Sequence, residues 1–219
     1  MSLSIEILLQ NYPTLEACRE SIETARDLLI GTYREGGKLL LCGNGGSCAD
    51  CDHIAGELLK GFLSHRPLSE EDCIALADSL PEGEADPDLY LLAGQLQGGL
   101  PAISLPSLTA AVTAVSNDTD PALIFAQSVW ALGQVGDTLI CLSTSGNSRN
   151  VVLAAKAARA KGLKVLALTG EADSALSALA DVTVQVPACD TYRVQEYHLP
   201  VYHSLCAAVE EALFEGGNS

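Results

Sequence analysis

Short apolar runs alternating with helical periodicities set the plan of this chain. Leu39-Leu40-Leu41-Cys42, Ala102-Ile103-Ser104-Leu105, Thr138–Leu142, Lys164–Leu168 and Val182–Val186 each have the length and composition of a buried strand. Between them the apolar positions recur at helical spacing. Ile5, Leu8 and Leu9, then Leu15, Cys18, Ile22, Ala25 and Leu29, predict one or two helices across residues 1–35, ended by Gly36-Gly37. Further helices are predicted from Ala49 to about Lys60, over Leu108–Ser116, Ala122–Leu132 and Val151–Lys161, a short one over Ser174–Ala180, and a last one from about Arg193 to Phe214. Five strands separated by helices at this interval predict an α/β fold. The expected form is a doubly wound, parallel five-stranded sheet with helices on both faces, as one domain over residues 1–219.

One stretch departs from the rhythm. Residues 61–99 carry Glu70, Glu71, Asp72, Asp78, Glu82, Glu84, Asp86 and Asp88, with breakers at Pro81-Glu82-Gly83 and Asp86-Pro87. Two short helices, roughly 69–79 and 87–96, joined by a polar turn, make an acidic helical insertion over 69–97. Its plain reading is a solvated surface excursion, and its functional reading a lid or interface element.

Charge narrows the partners. With 12 Lys and Arg against 28 Asp and Glu the net charge is −16, which argues against nucleic acid and against an anionic membrane surface. No apolar run has the length of a membrane span and no basic-then-apolar leader opens the chain, so a cytoplasmic protein is expected. The cysteines, Cys42, Cys141 and Cys206 among them, fall in strands and helices, where a free thiol behaves as a small buried hydrophobe. No Lys or Arg occurs between Arg66 and Arg149. A phosphate bound here must therefore be held mainly by hydroxyls, backbone N–H groups and helix N-termini.

Two loops offer those groups. Gly43-Asn44-Gly45-Gly46-Ser47 follows the first strand and opens a helix, the arrangement that presents free N–H groups and a positive dipole end to an anion. It lacks the Gly-Lys-Ser/Thr of a P-loop, and its GxGG spacing is not the GxGxxG of a dinucleotide site, so no nucleotide cofactor is expected. Ser143-Thr144-Ser145-Gly146-Asn147-Ser148 follows the third strand in the same way. An ordinary N-cap would need one such residue; six in a row suit a phosphate cradle. Both loops lie at carboxyl ends of strands, where open α/β sheets place their ligands, and can share one crevice.

His53 and Glu57 are four apart on the helix after GNGGS and so share a face; Gln195 and His203 are eight apart on the last helix. Histidine is scarce (His53, His65, His198, His203), and His198 taken alone reads as structural. Cys48-Ala49-Asp50-Cys51-Asp52-His53 can be spelled CxxCxH, but without a second cluster a closed zinc site is not supported.

GNGGS with His53 and Glu57, then Asn117-Asp118, STSGNS and QEYHLPVYH together resemble the SIS (sugar isomerase) domain family, and within it the phosphoheptose isomerase branch. The resemblance runs from about Met1 to Phe214, interrupted near 69–97. It implies a substrate phosphate held by Ser143, Thr144, Ser145 and Ser148, with Ser47 and the Asn44-Gly45-Gly46 backbone nearby. It implies that Asn117 and Asp118 contact sugar hydroxyls and that Gln195 belongs to the site. Glu57 would be the base moving a proton between C1 and C2 through an enediol, and His203 its acid/base partner. Some members bind zinc through residues matching His53, Glu57, Gln195 and His203. Members are homotetramers whose sites draw residues from neighbouring subunits. The reaction implied is sedoheptulose 7-phosphate to a D-glycero-D-manno-heptose 7-phosphate type product. The alternative is a non-catalytic SIS regulator that binds sugar phosphate, or an adaptor that binds a replication initiator. Gly56 replaces a second Glu beside the catalytic one, Cys48 replaces a His, and Pro200 falls inside the last helix.

Overall fold

In the computed structural model, which describes residues 2–79 and 87–214, five parallel strands form one sheet. They are β1 (Leu39–Gly43), β2 (Ala102–Ser104), β3 (Thr138–Leu142), β4 (Lys164–Thr169) and β5 (Val182–Gln185), in the order β2-β1-β3-β4-β5. The register pairs Leu41 with Ile140 and Cys42 with Cys141, so β1 and β3 end side by side and their following loops emerge next to each other.

Side chains alternate across a strand, and here the alternation builds two cores. Leu39, Leu41, Ile140, Leu142, Leu166, Leu168 and Val184 face one side. They pack against α1 (Leu3–Asn11), α2 (Arg19–Arg34), α3 (Gly46–Leu59) and α9 (Thr191–Phe214). Leu40, Cys42, Leu139, Cys141, Val165 and Ala167 face the other, under α7 (Ile124–Leu132) and α8 (Arg149–Ala160). Cys51, Ile54, Ala55 and Leu58 form the buried stripe of α3, which leaves His53 and Glu57 on its opposite, open side.

The acidic stretch forms the two helices expected of it, α4 (Glu70–Asp78) and α5 (Pro87–Gln95). Ser69 and Asp72 form a capping box at the start of α4, and no residue of that helix is buried. The turn expected between them, at 80–86, lies outside the described residues. The base of the insertion is pinned by a Pro67–Gln97 bridge and by the Gly98 N–H donated to Arg66 O (2.7 Å).

Three expectations need correction. Ser174–Ala180 is a turn and not a helix, because Ser174 and Ser177 bond each other and the turn's own backbone N–H groups. The helix after GNGGS starts at Gly46, three residues earlier than its apolar spacing implied. The helix expected over Leu108–Ser116 is α6 (Thr109–Asp118), which runs two residues further and ends on Asn117 and Asp118. Helix α9 runs through Pro200, which sits well inside it, so the absence of one N–H is tolerated within a strongly buried helix.

Candidate active site

Leaving β1, the chain turns at Asn44–Gly45 and enters α3 immediately. Ser47 N donates to Asn44 O (3.1 Å), and the Ser47 side chain is buried. A Cβ on Gly46 would stand 2.5 Å from Gln195 Nε2, so the amide end of Gln195 lies against the N-terminus of α3 and would have to shift to admit a larger residue there. Leaving β3, the STSGNS loop folds on itself. Ser143 Oγ donates to Ser148 Oγ (3.1 Å), and the Asn147 N–H to Ser145 Oγ (3.2 Å). Gly146 takes φ +64 beneath Ser174, where a Cβ would clash. Asn147 Oδ1 accepts from Ala175 N (3.0 Å), which makes Asn147 a brace for the loop. Asn44 and Asn150 exchange amide hydrogen bonds, both 2.9 Å, and so tie the two loops together. The two loops therefore lie side by side at the carboxyl ends of β1 and β3.

Deeper along α3 and α9, three functional side chains meet. His53 Nε2 lies 3.1 Å from Glu57 Oε1 and 3.4 Å from His203 Nε2, and one donor atom from each of the three falls within 4.8 Å of the others. Spacing alone gave the His53–Glu57 pair; His203 arrives from the opposing helix. Phe62 stacks obliquely on His203, ring centroids 5.5 Å apart. Lys60 Nζ reaches 3.6 Å from Glu57 Oε2. Burial, then the neighbouring His53, holds the His203 imidazole below its ordinary pKa, with Glu57 pulling the other way. A groove lined by Ser4, Ile7, Tyr12, Phe62 and Pro200 opens beside His203.

The other expected residues are placed differently. Gln195 lies at the α3 N-terminus, and among the described residues it makes no hydrogen bond to the trio. Asn117 and Asp118 are exposed and bond each other (2.8 Å). Their segment approaches the STSGNS loop through Asp120 and Arg149, 3.5 Å apart. Cys51 points into the core, and among the described residues neither Cys48 nor Cys51 joins the group around His53. His198 is fully buried with Nε2 3.4 Å from Thr169 O, a core histidine as its isolated position implied.

Two residues that the sequence reading passed over belong to this site. The Tyr202 hydroxyl sits 3.0 Å from His53 Nδ1 and donates to Asp50 Oδ1 (3.2 Å). Burial first, then the Asp50 carboxylate, pushes the Tyr202 phenol up; burial also raises Asp50, against the Tyr202 hydrogen bond and His53. Asp50 stands three residues before His53 on the helix, a spacing that could have flagged it. Tyr202 had no such signal, because it reaches His53 across two helices.

The description "SIS domain" fits residues 9–87 and 92–170 of this chain. The chain belongs to the SIS domain family. A phosphoheptose isomerase of Thermodesulfovibrio yellowstonii is 38% identical over 194 residues, covering 89% of this chain and 81% of that protein. One of Shewanella denitrificans is 37% identical over 202 residues, covering 91% and 87%. Among solved structures, a phosphoheptose isomerase from Francisella tularensis superposes with a TM-score of 0.73 at 30% identity, covering 94% of each chain. That of Neisseria gonorrhoeae gives 0.69 at 31%, covering 94% and 93%. The SIS match runs through most of the acidic stretch and breaks only between residues 87 and 92.

Proposed function

We propose that this SIS protein is an aldose–ketose isomerase of phosphorylated sugars. Its substrate is sedoheptulose 7-phosphate, and its product is of the D-glycero-D-manno-heptose 7-phosphate type, formed through an enediol. The relatives named phosphoheptose isomerase support the class of reaction. The observation that carries the reading is the meeting of Glu57 and His203 on helices whose starts lie beside two tied loops rich in hydroxyls. A regulator or adaptor has no use for that pair of proton-transfer groups.

The chemistry divides among the residues present. Ser143, Thr144, Ser145 and Ser148, with Ser47 and the Asn44–Gly46 backbone, hold the phosphate at the starts of α8 and α3, where helix dipoles favour an anion. Glu57 takes the carbon-bound proton, which exchanges with solvent while the enediol persists, and delivers a solvent-derived proton to the neighbouring carbon, while His203 moves protons on the sugar oxygens. A neutral His203, favoured by its lowered pKa, is able to accept as well as donate. Gln195 at the α3 N-terminus reaches the sugar between cradle and base, and Asn117 and Asp118 serve the sugar hydroxyls.

His53, Glu57 and His203 also suit a divalent cation such as zinc: two imidazoles and a carboxylate converge within 4.8 Å, a donor set of the right kind. Bound there, zinc would polarise the carbonyl and enediolate oxygens. Gln195, the fourth expected ligand, lies against Gly46 at the α3 N-terminus. We further propose a homotetrameric assembly in the cytoplasm. Supporting the assembly, α6 has no buried residue within the single chain, though Val112, Ala114 and Val115 lie on it.

The test is turnover of sedoheptulose 7-phosphate by purified protein, with and without zinc. Turnover by the wild type is expected. Absence of turnover under both conditions, with sugar phosphate bound tightly, would replace this reading with the regulator.

A further inference from the structure

Asp50 and Tyr202 have no role in the chemistry above, yet both are built into the floor of the His53 cluster. Tyr202 is only 2% exposed, and its hydroxyl stands between Asp50 Oδ1 (3.2 Å) and His53 Nδ1 (3.0 Å). A phenol carries one proton, and an ionised carboxylate can only accept. The Tyr202 proton therefore goes to Asp50, and the phenol oxygen must receive the Nδ1–H of His53. A neutral imidazole so protonated has a bare lone pair on Nε2. The other Asp50 oxygen, Oδ2, is buried and has no hydrogen-bond partner among the described residues. A half-satisfied buried carboxylate is costly, and its one hydrogen bond is spent on Tyr202.

We propose that Asp50 and Tyr202 are positioning residues that fix His53 in its Nδ1–H tautomer and aim the Nε2 lone pair into the space shared with Glu57 and His203. The alternative tautomer shows why this matters. An Nε2–H on His53 would point at Glu57 Oε1, 3.1 Å away, and cap the base with an ordinary i,i+4 hydrogen bond. With the relay in place, two acceptors face each other at that distance, an arrangement that favours a positively charged occupant. His203 Nε2, 3.4 Å away, completes the set of three donors. The outer partner of a ligating histidine sets its tautomer and raises its basicity in this way. This inference rests on the isomerase reading only in its kinetic consequences.

The chain has four histidines, His53, His65, His198 and His203, so tautomers can be assigned singly. The measurement is a long-range proton–nitrogen spectrum of histidine-labelled, chelator-treated protein at pH 8, with His53→Gln to assign the signal. The expected result is His53 protonated on Nδ1 and bare on Nε2. Tyr202→Phe, which keeps the ring and its packing, is expected to move the proton wholly or partly to Nε2. It is also expected to weaken zinc binding, titrated against a chromophoric chelator, by about tenfold or more, and to lower kcat with KM little changed. Asp50→Asn is expected to act in the same direction. His53 protonated on Nε2 in the wild type would overturn the proposal. So would a Tyr202→Phe protein with the wild-type tautomer and a zinc Kd within about twofold of wild type. Lack of turnover in a wild type that shows the expected tautomer would count against the isomerase reading and leave the relay standing.

Discussion

Glu57 and His203 carry the chemical argument at the scale of single residues. Glu57→Gln keeps shape and partial burial while removing the base, so kcat is expected to fall by about 10²- to 10⁴-fold with the fold intact, as steady-state kinetics and a thermal melt would show. His203→Ala is expected to lose a similar factor. His198 makes a separate prediction. Burial pushes its pKa down to about 4, against the pull of Thr169 O. The folded state then refuses a proton that the unfolded chain accepts near 6.5, so stability falls as pH drops through that range. The full loss by pH 4 is about 3 kcal/mol, from 1.36 kcal/mol per pH unit. Urea denaturation at pH 7 and pH 4.5 should show a flatter pH dependence in His198→Gln than in the wild type; parallel losses would contradict the assignment. Glu57, His53 and His203 were legible because scarce residue types fell at helical spacing within recognisable motifs. Tyr202 was not, since its value depends on a contact between helices some 150 residues apart in sequence.

Among the elements, the segment after α3 shows how the site is held. Glu210 on α9 is buried and accepts the N–H groups of Phe62, Leu63 and Ser64 at 2.7–2.9 Å, together with Arg66 Nε at 2.7 Å. Burial alone would raise this carboxyl; those donors outweigh it and hold it below its usual range. Arg66 also donates to Leu58 O at the end of α3. The staple places Phe62 against His203, which links a structural ion pair to the geometry of the site. Glu210→Ala leaves a buried guanidinium unpaired and is expected to cost about 3–5 kcal/mol in urea denaturation. Replacing Arg66 and Glu210 together by methionine should not restore stability, because three backbone N–H groups would lose their acceptor. The periodicity of apolar positions foretold every strand and most helices. It failed at Ser174–Ala180, where serine hydroxyls compete for the backbone, and at the start of α3, where Gly46, Ser47 and Cys48 give no apolar signal.

For the molecule as a whole, the two-sided sheet follows from strands that are apolar at nearly every position, and it brings the loops after β1 and β3 to one edge. That much could be read from the order of the runs. The tetramer implied by the resemblance finds its support here in α6, which has no buried residue, and in the exposed apolar residues Leu3, Ile7 and Trp130. Sedimentation should give a mass near four times 22.8 kDa; a monomer would contradict the proposed tetramer. Among the described residues no helix is long and apolar enough to cross a membrane. If Glu57 on α3 and His203 on α9 move a carbon-bound proton through an enediol, isomerisation in deuterium oxide will leave a label that shows it. With sedoheptulose 7-phosphate as substrate, magnetic resonance should find solvent deuterium at C2 of the product and at C1 of recovered ketose, both lost in Glu57→Gln. Product formed without deuterium, or labelled equally by the Glu57→Gln protein, would contradict the account.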